Sequence, residues 1–235
     1  PFNIEGLNFL KKLKCEAYKI SSFEMNDLNL VKQIAKTKKP MIISTGLSDL
    51  SEIKKTFSVA KKNGCKDITL LYCVSNYPSN IEDFNLNNIK ILKQTFKCRI
   101  GLSDHTKGSE MAALASACGA EVFEKHIALE NQKKGHDIKF SAKGKEIKLY
   151  KKKLDLIGKL TNKEFFFRSR DEIKNKIFRR SVYCIKDIKK GEKFTKKNIA
   201  SFRPNIGLST SFYPVLIGRK SPKNMKKNSV LKKNI

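Results

Sequence analysis

The feature that most constrains this chain is a repeated alternation between short apolar runs and longer amphipathic segments across its first 160 residues. Five such runs are visible, and each leads into polar residues and then into a stretch with helical periodicity. The runs are apolar or β-branched without polar alternation, as expected when a parallel sheet is covered on both faces. A strand followed by a helix, repeated about every 25 to 30 residues, predicts βαβ units and an α/β fold.

The same pattern assigns elements and domain boundaries. The predicted strands cover residues 17–21, 41–44, 68–73, 99–102 and 121–123. The predicted helices cover residues 28–36, 50–62, 86–96, 109–118 and 147–160. Beyond them, Pro, Gly and Ser punctuate a predicted strand at 180–185 and a turn or helix start at 194–199. We therefore predict part of a barrel over residues 1–160, a basic, aromatic linker over 161–177 and a small β-rich domain over 178–235.

The net charge of +28 suggests a nucleic-acid partner, because clustered cations release counterions when they neutralise phosphates. However, only seven of the 50 basic residues are arginine, the residue that base readers and bidentate phosphate clamps favour. The lysines are scattered, and no zinc-finger, basic-zipper or RNA-binding pattern is present. We expect a general lysine bias and no nucleic-acid partner. An inactive basic scaffold or nucleic-acid-binding protein stays as the alternative from a different class.

Cysteine spacing and hydropathy indicate the compartment. The six cysteines are well separated and form no CxxC pair, so a secreted disulfide framework is not indicated. No apolar stretch approaches the 18 or so residues that a membrane helix needs. We expect free thiols in a reducing cytoplasm and no membrane association.

Polar residues follow the predicted strands rather than being spread evenly. In a (β/α)8 barrel the carboxyl ends of all strands meet at one face, where active sites lie. We therefore expect a site for an anionic, phosphate-bearing substrate and a divalent metal. Its candidate residues are Lys19 and Lys125 as point charges, Ser22 and Ser44 as hydroxyl donors, and His105 as the metal ligand.

Each candidate also has an ordinary structural interpretation. Ser44-Thr45-Gly46 is a plausible turn and helix N-cap. His105 could be a hydrogen-bonded loop histidine. Glu124-Lys125-His126 could form a local ion pair, and Asp137 could be a turn residue.

Taken together, the strand-end motifs resemble the sialic-acid synthase family, whose members make nine-carbon sugar acids from phosphoenolpyruvate and a 2-acetamido hexose. In the first region the resemblance rests on Lys19-Ile20-Ser21-Ser22-Phe23-Glu24, Ser44-Thr45-Gly46, Tyr77-Pro78, Gly101-Leu102-Ser103-Asp104-His105-Thr106 and Glu124-Lys125-His126. The second region resembles the antifreeze-like SAF domain, of β-clip fold, that ends these enzymes. There it rests on Arg179-Arg180-Ser181, Asp187-Ile188-Lys189-Lys190-Gly191-Glu192, Thr195, Asn198 and Arg203-Pro204. The resemblance covers essentially the whole chain.

Within the family, the chain is most similar to the pseudaminic-acid synthases. Ser22-Phe23-Glu24 stands where neuraminate synthases typically have Ser-Gly-Glu, and Phe140-Ser141 favours the same subgroup. Tyr72 stands where the resemblance places a metal-binding histidine of neuraminate synthases, which leaves His105 as the one matching ligand and the second ligand open. N-acetylneuraminate and legionaminate synthases are the alternatives, and the sequence does not identify the amino sugar.

The resemblance implies that C3 of phosphoenolpyruvate attacks the aldehyde carbon of an open-chain 2,4-diacetamido hexose. Water then adds at C2, and phosphate leaves by C–O cleavage. The resemblance also implies a divalent cofactor, Mn or Mg, and a homodimer in which a swapped SAF domain covers the partner's site. The implied phosphoenolpyruvate contacts are Lys19, Ser22, Ser44 and Lys125. The implied sugar contacts are Glu24, Tyr77, Asp137 and Arg203, and the implied catalytic residues are Glu24, Lys125 and Asp137.

By the same comparison, the chain begins inside the barrel, because Pro1-Phe2 matches the Thr-Pro-Phe that follows the family's third strand. A whole barrel needs about 250 residues, and residues 1–160 supply only about strands 4–8. Five strands cannot close, so two sheet edges would lie open. We expect this fragment alone to be poorly soluble and inactive.

Overall fold

The structure, a computed structural model, describes residues 1–232. The chain forms two compact units, Pro1–Lys163 and a second that begins at Glu164. The first unit holds a five-stranded parallel sheet whose strands, β1 to β5, pair in chain order. These strands are Tyr18–Ile20, Met41–Ser44, Ile68–Cys73, Arg99–Asp104 and Val122–Lys125. Two short strands, β6 (Ile127–Ala128) and β7 (Ala142–Lys143), pair with each other.

Helices connect the parallel strands, and local sequence sets where they begin. The Asn3 side chain accepts a hydrogen bond from the backbone N–H of Gly6 and caps the first helix. Asp49 and Glu52 form a reciprocal capping box at the start of the third. The helices of this unit are α1 (Ile4–Lys12), α2 (Leu28–Ala35), α3 (Leu50–Lys62), α4 (Asn87–Phe96), α5 (Glu110–Ala117) and α6 (Lys145–Thr161).

Most of these elements were predictable. Helices α2 to α6 lie within two residues of the predicted bounds, and the parallel βαβ arrangement is confirmed. The sequence pattern gave no helix over Ile4–Lys12, and it ended β4 and β5 two residues early. Both strand extensions consist of polar residues, Ser103-Asp104 and Glu124-Lys125, which a search for apolar runs excludes.

Alternation along the strands separates two faces of the sheet. One face packs against the helices and forms the apolar core. Core residues from β1 to β4 include Ile20, Ile43, Leu70, Ile100 and Leu102, all at most 1% exposed, and the partly buried Phe123 of β5 packs against them. The opposite face carries polar groups toward the carboxyl ends of the strands. The register aligns these groups across strands, since Ser103 on β4 pairs with Glu124 on β5.

The second unit has its own small core. Strands β8 (Ser181–Cys184) and β9 (Ile199–Phe202) pair antiparallel, and Phe194 and Leu208 pack against them. The unit also contains two short α-helices, α7 (Arg170–Lys174) and α8 (Tyr213–Leu216), and 3-10 turns at Asn175–Phe178 and Thr210–Phe212. The predicted strand at 180–185 is confirmed, whereas the predicted turn at 194–199 ends where β9 begins and the predicted linker contains α7. Throughout residues 1–232, no helix has the length and hydropathy needed to cross a bilayer.

Candidate active site

The polar face of the sheet gathers most of the predicted site residues at one edge. Lys19 lies on β1, Ser103 on β4 and Glu124 on β5, next to the core-facing residues Ile20, Leu102 and Phe123 and therefore on the opposite face. Because all five strands are parallel, their carboxyl ends lie along the same edge, which is where α/β proteins place ligands.

A cradle of small groups forms where β1, β2 and β3 end. The Ser22 hydroxyl lies 3.0 Å from Cys73 Sγ and accepts a 3.1 Å hydrogen bond from the backbone N–H of Gly46. A Cβ on Gly46 would collide with Ser75 Oγ and Cys73 Sγ. Glycine therefore lets the backbone approach these side chains closely, and the cluster of hydroxyl and amide groups suits an anion.

Ser44, the last residue of β2, carries a buried hydroxyl without a partner. Its side chain is 2% exposed, and its Oγ is the one buried side-chain oxygen or nitrogen within residues 1–232 that makes no hydrogen bond. Its neighbour Thr45, in contrast, donates to the carbonyl of Leu71 at 3.1 Å. Leaving a buried polar group unpaired costs about 1–3 kcal/mol. An unpaired hydroxyl at a strand end is therefore a strong indication of a ligand-binding group.

Lys19 supplies a cation on the same face. Its Nζ lies 3.4 Å from Glu124 Oε1, and Glu124 also accepts a 2.7 Å hydrogen bond from the Ser103 hydroxyl. The side chains of Lys19 and Glu124 are 30% and 39% exposed, so solvent screens their attraction. An incoming anion can therefore attract the Lys19 ammonium away from Glu124 at a modest cost in free energy.

Two imidazoles meet at the ends of β4 and β5. The ring centroids of His105 and His126 are 5.5 Å apart. His105 Nδ1 lies 3.0 Å from the carbonyl oxygen of Val74, so Nδ1 donates there and Nε2 keeps its lone pair. Burial lowers the pKa of His105, so its ring is neutral near pH 7. Asp137 Oδ2 lies 3.4 Å from Nδ1 of His126.

An aromatic wall borders the two imidazoles. The Tyr77 ring centroid lies 4.2 Å from that of His105, 5.9 Å from that of Phe140 and 6.4 Å from that of Phe23. Burial raises the pKa of Tyr77, which keeps its hydroxyl protonated. Tyr77 is nevertheless 45% exposed, so this wall can contact a bound molecule. Glu24 ends the short turn Ser22–Glu24 after β1, where its carboxylate accepts a hydrogen bond from the Ser21 hydroxyl.

Lys125 lies on the other side of the sheet. It alternates with Glu124 on β5, so its side chain points into the layer between sheet and helices, where it is 7% exposed. Its Nζ lies 3.1 Å from Asp104 Oδ2, and the Tyr150 hydroxyl of α6 donates to the same oxygen at 3.2 Å. Lys125 Nζ also donates to the Thr106 carbonyl. The structure thus does not bring Lys125 to the cradle, and its ammonium already has partners.

Tyr72 also points away from the polar face. Its hydroxyl accepts a 2.8 Å hydrogen bond from the backbone N–H of Asn85, and its ring packs edge-on against Phe84 at 6.0 Å. A side chain at this position of β3 therefore belongs to the core. On β3 the side chains of Leu71 and Cys73, not that of Tyr72, take the polar face, so the second metal ligand, which the sequence left open, does not come from this position. The second imidazole near His105 comes from His126 instead.

The residues at this edge fit a divalent cation in part. His105 offers Nε2, His126 offers a second ring, and the Asp137 carboxylate lies beside it. Mixed imidazole and carboxylate donors suit a transition metal such as manganese better than magnesium. Within residues 1–232, no three His, Cys, Asp or Glu side chains stand close enough together to hold an ion alone. Water or substrate oxygens would have to complete the coordination.

Arg203 belongs to the second unit and directly follows β9. It lines a groove with Arg179 and Arg180. Its guanidinium makes no ion pair or side-chain hydrogen bond with the residues that the structure describes. The contact of Arg203 with a sugar in a partner's site stays a prediction.

Four members of the site received no individual role from the sequence, although Gly46 and His126 lie within the strand-end motifs and Phe140 within the residues that favoured the subgroup. Gly46 and Cys73 build the cradle, and His126 and Phe140 face His105. Strand alternation was the available signal, since residues two apart on a strand share a face. By that rule the side chains of Glu124 and His126 lie on the same face of the sheet, and the side chain of Lys125 lies on the opposite face.

Comparison with known proteins agrees with this geometry. The NeuB family model matches residues 1–164, and the SAF domain model matches residues 179–234. The pseudaminic acid synthase of Campylobacter jejuni serotype O:2 is 41% identical over 99% of this chain and 68% of its own length. The N,N'-diacetyllegionaminic acid synthase of the same organism is 37% identical over 99% of this chain and 70% of its own length.

A solved structure shows the same architecture. The N-acetylneuraminic acid synthetase of Leptospira borgpetersenii serovar Hardjo-bovis, in complex with citrate, superposes with a TM-score of 0.70 at 35% identity. The match covers 74% of this chain and 61% of that one. It confirms the predicted partial (β/α)8 barrel followed by a small C-terminal domain. With a family match over more than half its length and relatives above 30% identity, the chain belongs to the NeuB family and carries a SAF domain after its barrel unit.

Proposed function

We propose that this protein is a nonulosonic acid synthase of the pseudaminic acid type, which condenses phosphoenolpyruvate with a 2,4-diacetamido hexose and releases phosphate. Family membership and 41% identity to a pseudaminic acid synthase support the reaction class. The structural observation that carries the proposal is the unpaired, buried hydroxyl of Ser44 beside an anion-suited cradle. A bound carboxylate or phosphate would supply the partner which that hydroxyl lacks.

Phosphoenolpyruvate is assigned to the Lys19, Ser22 and Ser44 side of the edge. Lys19 contributes a positive charge, and the two serines contribute hydroxyl donors at fixed positions. Such preorganised donors hold the enol so that its C3 faces the sugar, which converts an encounter into an oriented reaction. Lys125 receives a positioning role instead, because Asp104 and the Thr106 carbonyl already hold its ammonium.

The sugar is assigned to the His105, His126 and Tyr77 side. The Tyr77 ring would contact the sugar, and the Asp137 and Glu24 carboxylates would accept hydrogen bonds from its hydroxyls or move protons. A divalent ion held by His105 and His126 would act as a Lewis acid on the aldehyde oxygen. Asp137 would orient the His126 ring for that role.

The bond changes follow from these positions. C3 of phosphoenolpyruvate forms the new C–C bond with the aldehyde carbon, and the aldehyde oxygen takes up a proton. Positive charge develops at C2, where water adds, and the C2–O bond to phosphate then breaks. We place the Glu124 carboxylate, which Lys19 and Ser103 hold in position, near the cation that develops at C2.

We further propose a homodimer in which the SAF domain of one subunit brings Arg203 to the sugar in the partner's site. The unpaired guanidinium of Arg203 supports an external contact. An Arg203→Ala variant should raise the KM for the sugar while leaving the KM for phosphoenolpyruvate unchanged. Mixing it with a Ser44→Ala variant should restore part of the activity in mixed dimers. Absence of recovery in verified mixed dimers would contradict the swap.

A legionaminic acid synthase is the second candidate, because a relative of that name is 37% identical over nearly the whole chain. The configuration of the sugar substrate distinguishes a pseudaminic acid synthase from a legionaminic acid synthase. The complete gene product should be assayed for phosphate release with Mn²⁺ against 2-acetamido and 2,4-diacetamido hexoses of differing stereochemistry. The proposal expects the highest kcat/KM with the pseudaminic acid precursor, and a preference for the legionaminic precursor would overturn that choice.

A further inference from the structure

Arginine is scarce in this chain, and its distribution is uneven. The sequence has 43 lysines and seven arginines, yet three of those arginines, Arg179, Arg180 and Arg203, line one groove of the second unit. A general basic bias would place lysines there. Arginine differs from lysine in its planar fork of donors, which binds a carboxylate or phosphate through two parallel hydrogen bonds. The concentration of guanidinium groups therefore indicates a site selected for an oxyanion.

The fold brings the residues that carry two of these charges to the same end of the β8–β9 pair, where both line the groove. Ser181 on β8 pairs with Phe202 on β9, and the next residues along the two antiparallel strands are Arg180 and Arg203. Like charges opposite each other on an antiparallel pair are destabilising. An anion bound between them would convert this repulsion into attraction.

No carboxylate among residues 1–232 forms an ion pair with this cluster. Arg99 pairs with Asp67 at 2.8 Å and Arg168 with Glu172 at 3.0 Å. Within residues 1–232, the guanidinium groups of the three groove arginines make no ion pair and no hydrogen bond. Their donors are therefore available to a ligand.

The backbone around the groove is held in place. The N–H of Asn205 donates to the Ile177 carbonyl at 2.8 Å, and the Tyr183 hydroxyl donates to the Pro204 carbonyl at 2.9 Å. These bonds fix the segment that carries Arg203 against the one that carries Arg179 and Arg180. A preformed site loses less entropy when it binds a ligand.

The rest of the groove suits the body of a small polar molecule. Its volume of about 680 Å³ lies within the range of small-molecule sites. Besides the arginines, it is lined by Asn175, Phe178, Asn205, Ser209 and Thr210. Amide and hydroxyl groups here can meet the hydroxyls of a ligand whose acidic group the arginines hold.

We propose that this groove binds the carboxylate or phosphate of a small, hydroxyl-bearing organic acid. The site is built entirely from the second unit and does not depend on catalysis in the barrel unit. Arg203 already has a proposed substrate contact, so the test centres on Arg179 and Arg180. Phosphate and carboxylate share the chemistry that the guanidinium fork recognises, and separate titrations distinguish them.

The test uses the protein labelled with ¹⁵N in arginine, with each Nε–H signal assigned by single substitution. The protein is titrated at constant ionic strength with inorganic phosphate, N-acetylneuraminic acid and phosphoenolpyruvate. We expect saturable shifts of the Arg179 and Arg180 signals, while the Arg99 signal stays still. Saturation by phosphate but not by the sugar acid would identify a phosphate site, and the reverse would identify a carboxylate site.

Two variants separate geometry from charge. Arg180→Lys keeps the charge but loses the fork, and should weaken binding at least about tenfold. Arg219→Lys changes an exposed arginine of the same unit that does not line the groove, and should leave affinity unchanged. Shifts that never saturate, or equal losses in both variants, would overturn the proposal as charge screening. Tight binding of an RNA oligomer without response to the small acids would also overturn it, in favour of a polynucleotide partner. Since no turnover is measured, failure here is distinct from failure of the synthase assay.

Discussion

At the scale of single residues, the site is most clearly defined by a group that the folded chain leaves unsatisfied. The Ser44 hydroxyl is buried yet forms no hydrogen bond, whereas the Ser22 hydroxyl, just beyond the adjoining strand, accepts a hydrogen bond from the Gly46 N–H and lies 3.0 Å from Cys73 Sγ. A buried hydroxyl that forms no hydrogen bond in the free protein is explained if a bound ligand supplies the missing partner. Removing the Ser44 hydroxyl should therefore lower the activity while leaving the stability of the fold unchanged or raising it.

Replacing Ser44 with Ala tests this separation. The variant loses one hydrogen bond to an anionic substrate, so kcat/KM for phosphoenolpyruvate should fall about tenfold to a hundredfold. Its midpoint of urea unfolding should stay level or rise, because no internal bond is lost. Ser221→Ala is the control, since that buried hydroxyl donates to the Lys223 carbonyl at 2.7 Å. The control should lose about 1 kcal/mol of stability and keep its kcat/KM. An unchanged kcat/KM for phosphoenolpyruvate in Ser44→Ala would contradict the assignment.

The buried pair beneath the site gives a second prediction at this scale. Tyr150→Phe removes the donor to Asp104, a fully buried carboxylate, and should lower the free energy of unfolding by about 1.5–3 kcal/mol. Tyr72→Phe removes a bond to an uncharged backbone N–H and should cost only about 0.5–1.5 kcal/mol. Equal losses in the two variants, measured by denaturant unfolding, would show that the charge of Asp104 contributes nothing.

A site residue was predictable from the sequence where strand order alone decides its position, but not where side-chain direction or a contact with a distant segment decides it. Lys19 and Ser44 lie within predicted strands and Ser22 and His105 follow them, so topology alone placed all four toward one edge. The direction of Lys125 and Tyr72 was not predictable from motif position, because one residue of register decides which face a side chain takes. Contacts such as Tyr77 with Phe140 join segments 63 residues apart, beyond what local pattern reveals.

At the scale of elements, the stability of the sheet depends on the close approach of the β4 and β5 backbones. A Cβ on Gly101 of β4 would collide with the Val122 carbonyl of β5 and with the Leu71 side chain of β3. Backbone cannot move away as a flexible side chain can. The strand order was predictable from βαβ repetition, but this contact was not, because it arises only when the strands pair.

Two glycine substitutions test that contact. Gly101→Ala should destabilise the barrel unit by at least about 1–3 kcal/mol, since the strands must separate. Gly158→Ala lies in the interior of α6 with nothing within 4 Å of the added methyl group, and should stabilise by about 0.5–1 kcal/mol. Thermal unfolding of both variants measures the difference. A neutral Gly101→Ala variant would mean that the backbones of β4 and β5 are not in close contact at Gly101.

At the scale of the whole molecule, the chain is two units joined by an exposed aromatic segment. Phe165 and Phe166 are 99% and 87% exposed and lie outside helices and strands. Brief chymotrypsin treatment should therefore cut first at these residues. Phe9, also exposed but inside α1, is the internal control, because hydrogen-bonded helix backbone resists cleavage. Mass spectrometry that finds the first cut at Phe9, or within either core, would contradict this division.

The central claim is that the strand-end cluster binds phosphoenolpyruvate and couples its use to an amino sugar. The most direct measurement is phosphate release from phosphoenolpyruvate by the complete gene product, with Mn²⁺, as a 2,4-diacetamido hexose is added. We expect no release without the sugar, and one phosphate for each nonulosonic acid formed with it. Phosphoenolpyruvate left intact, or hydrolysed equally fast without the sugar, would contradict this function of the cluster.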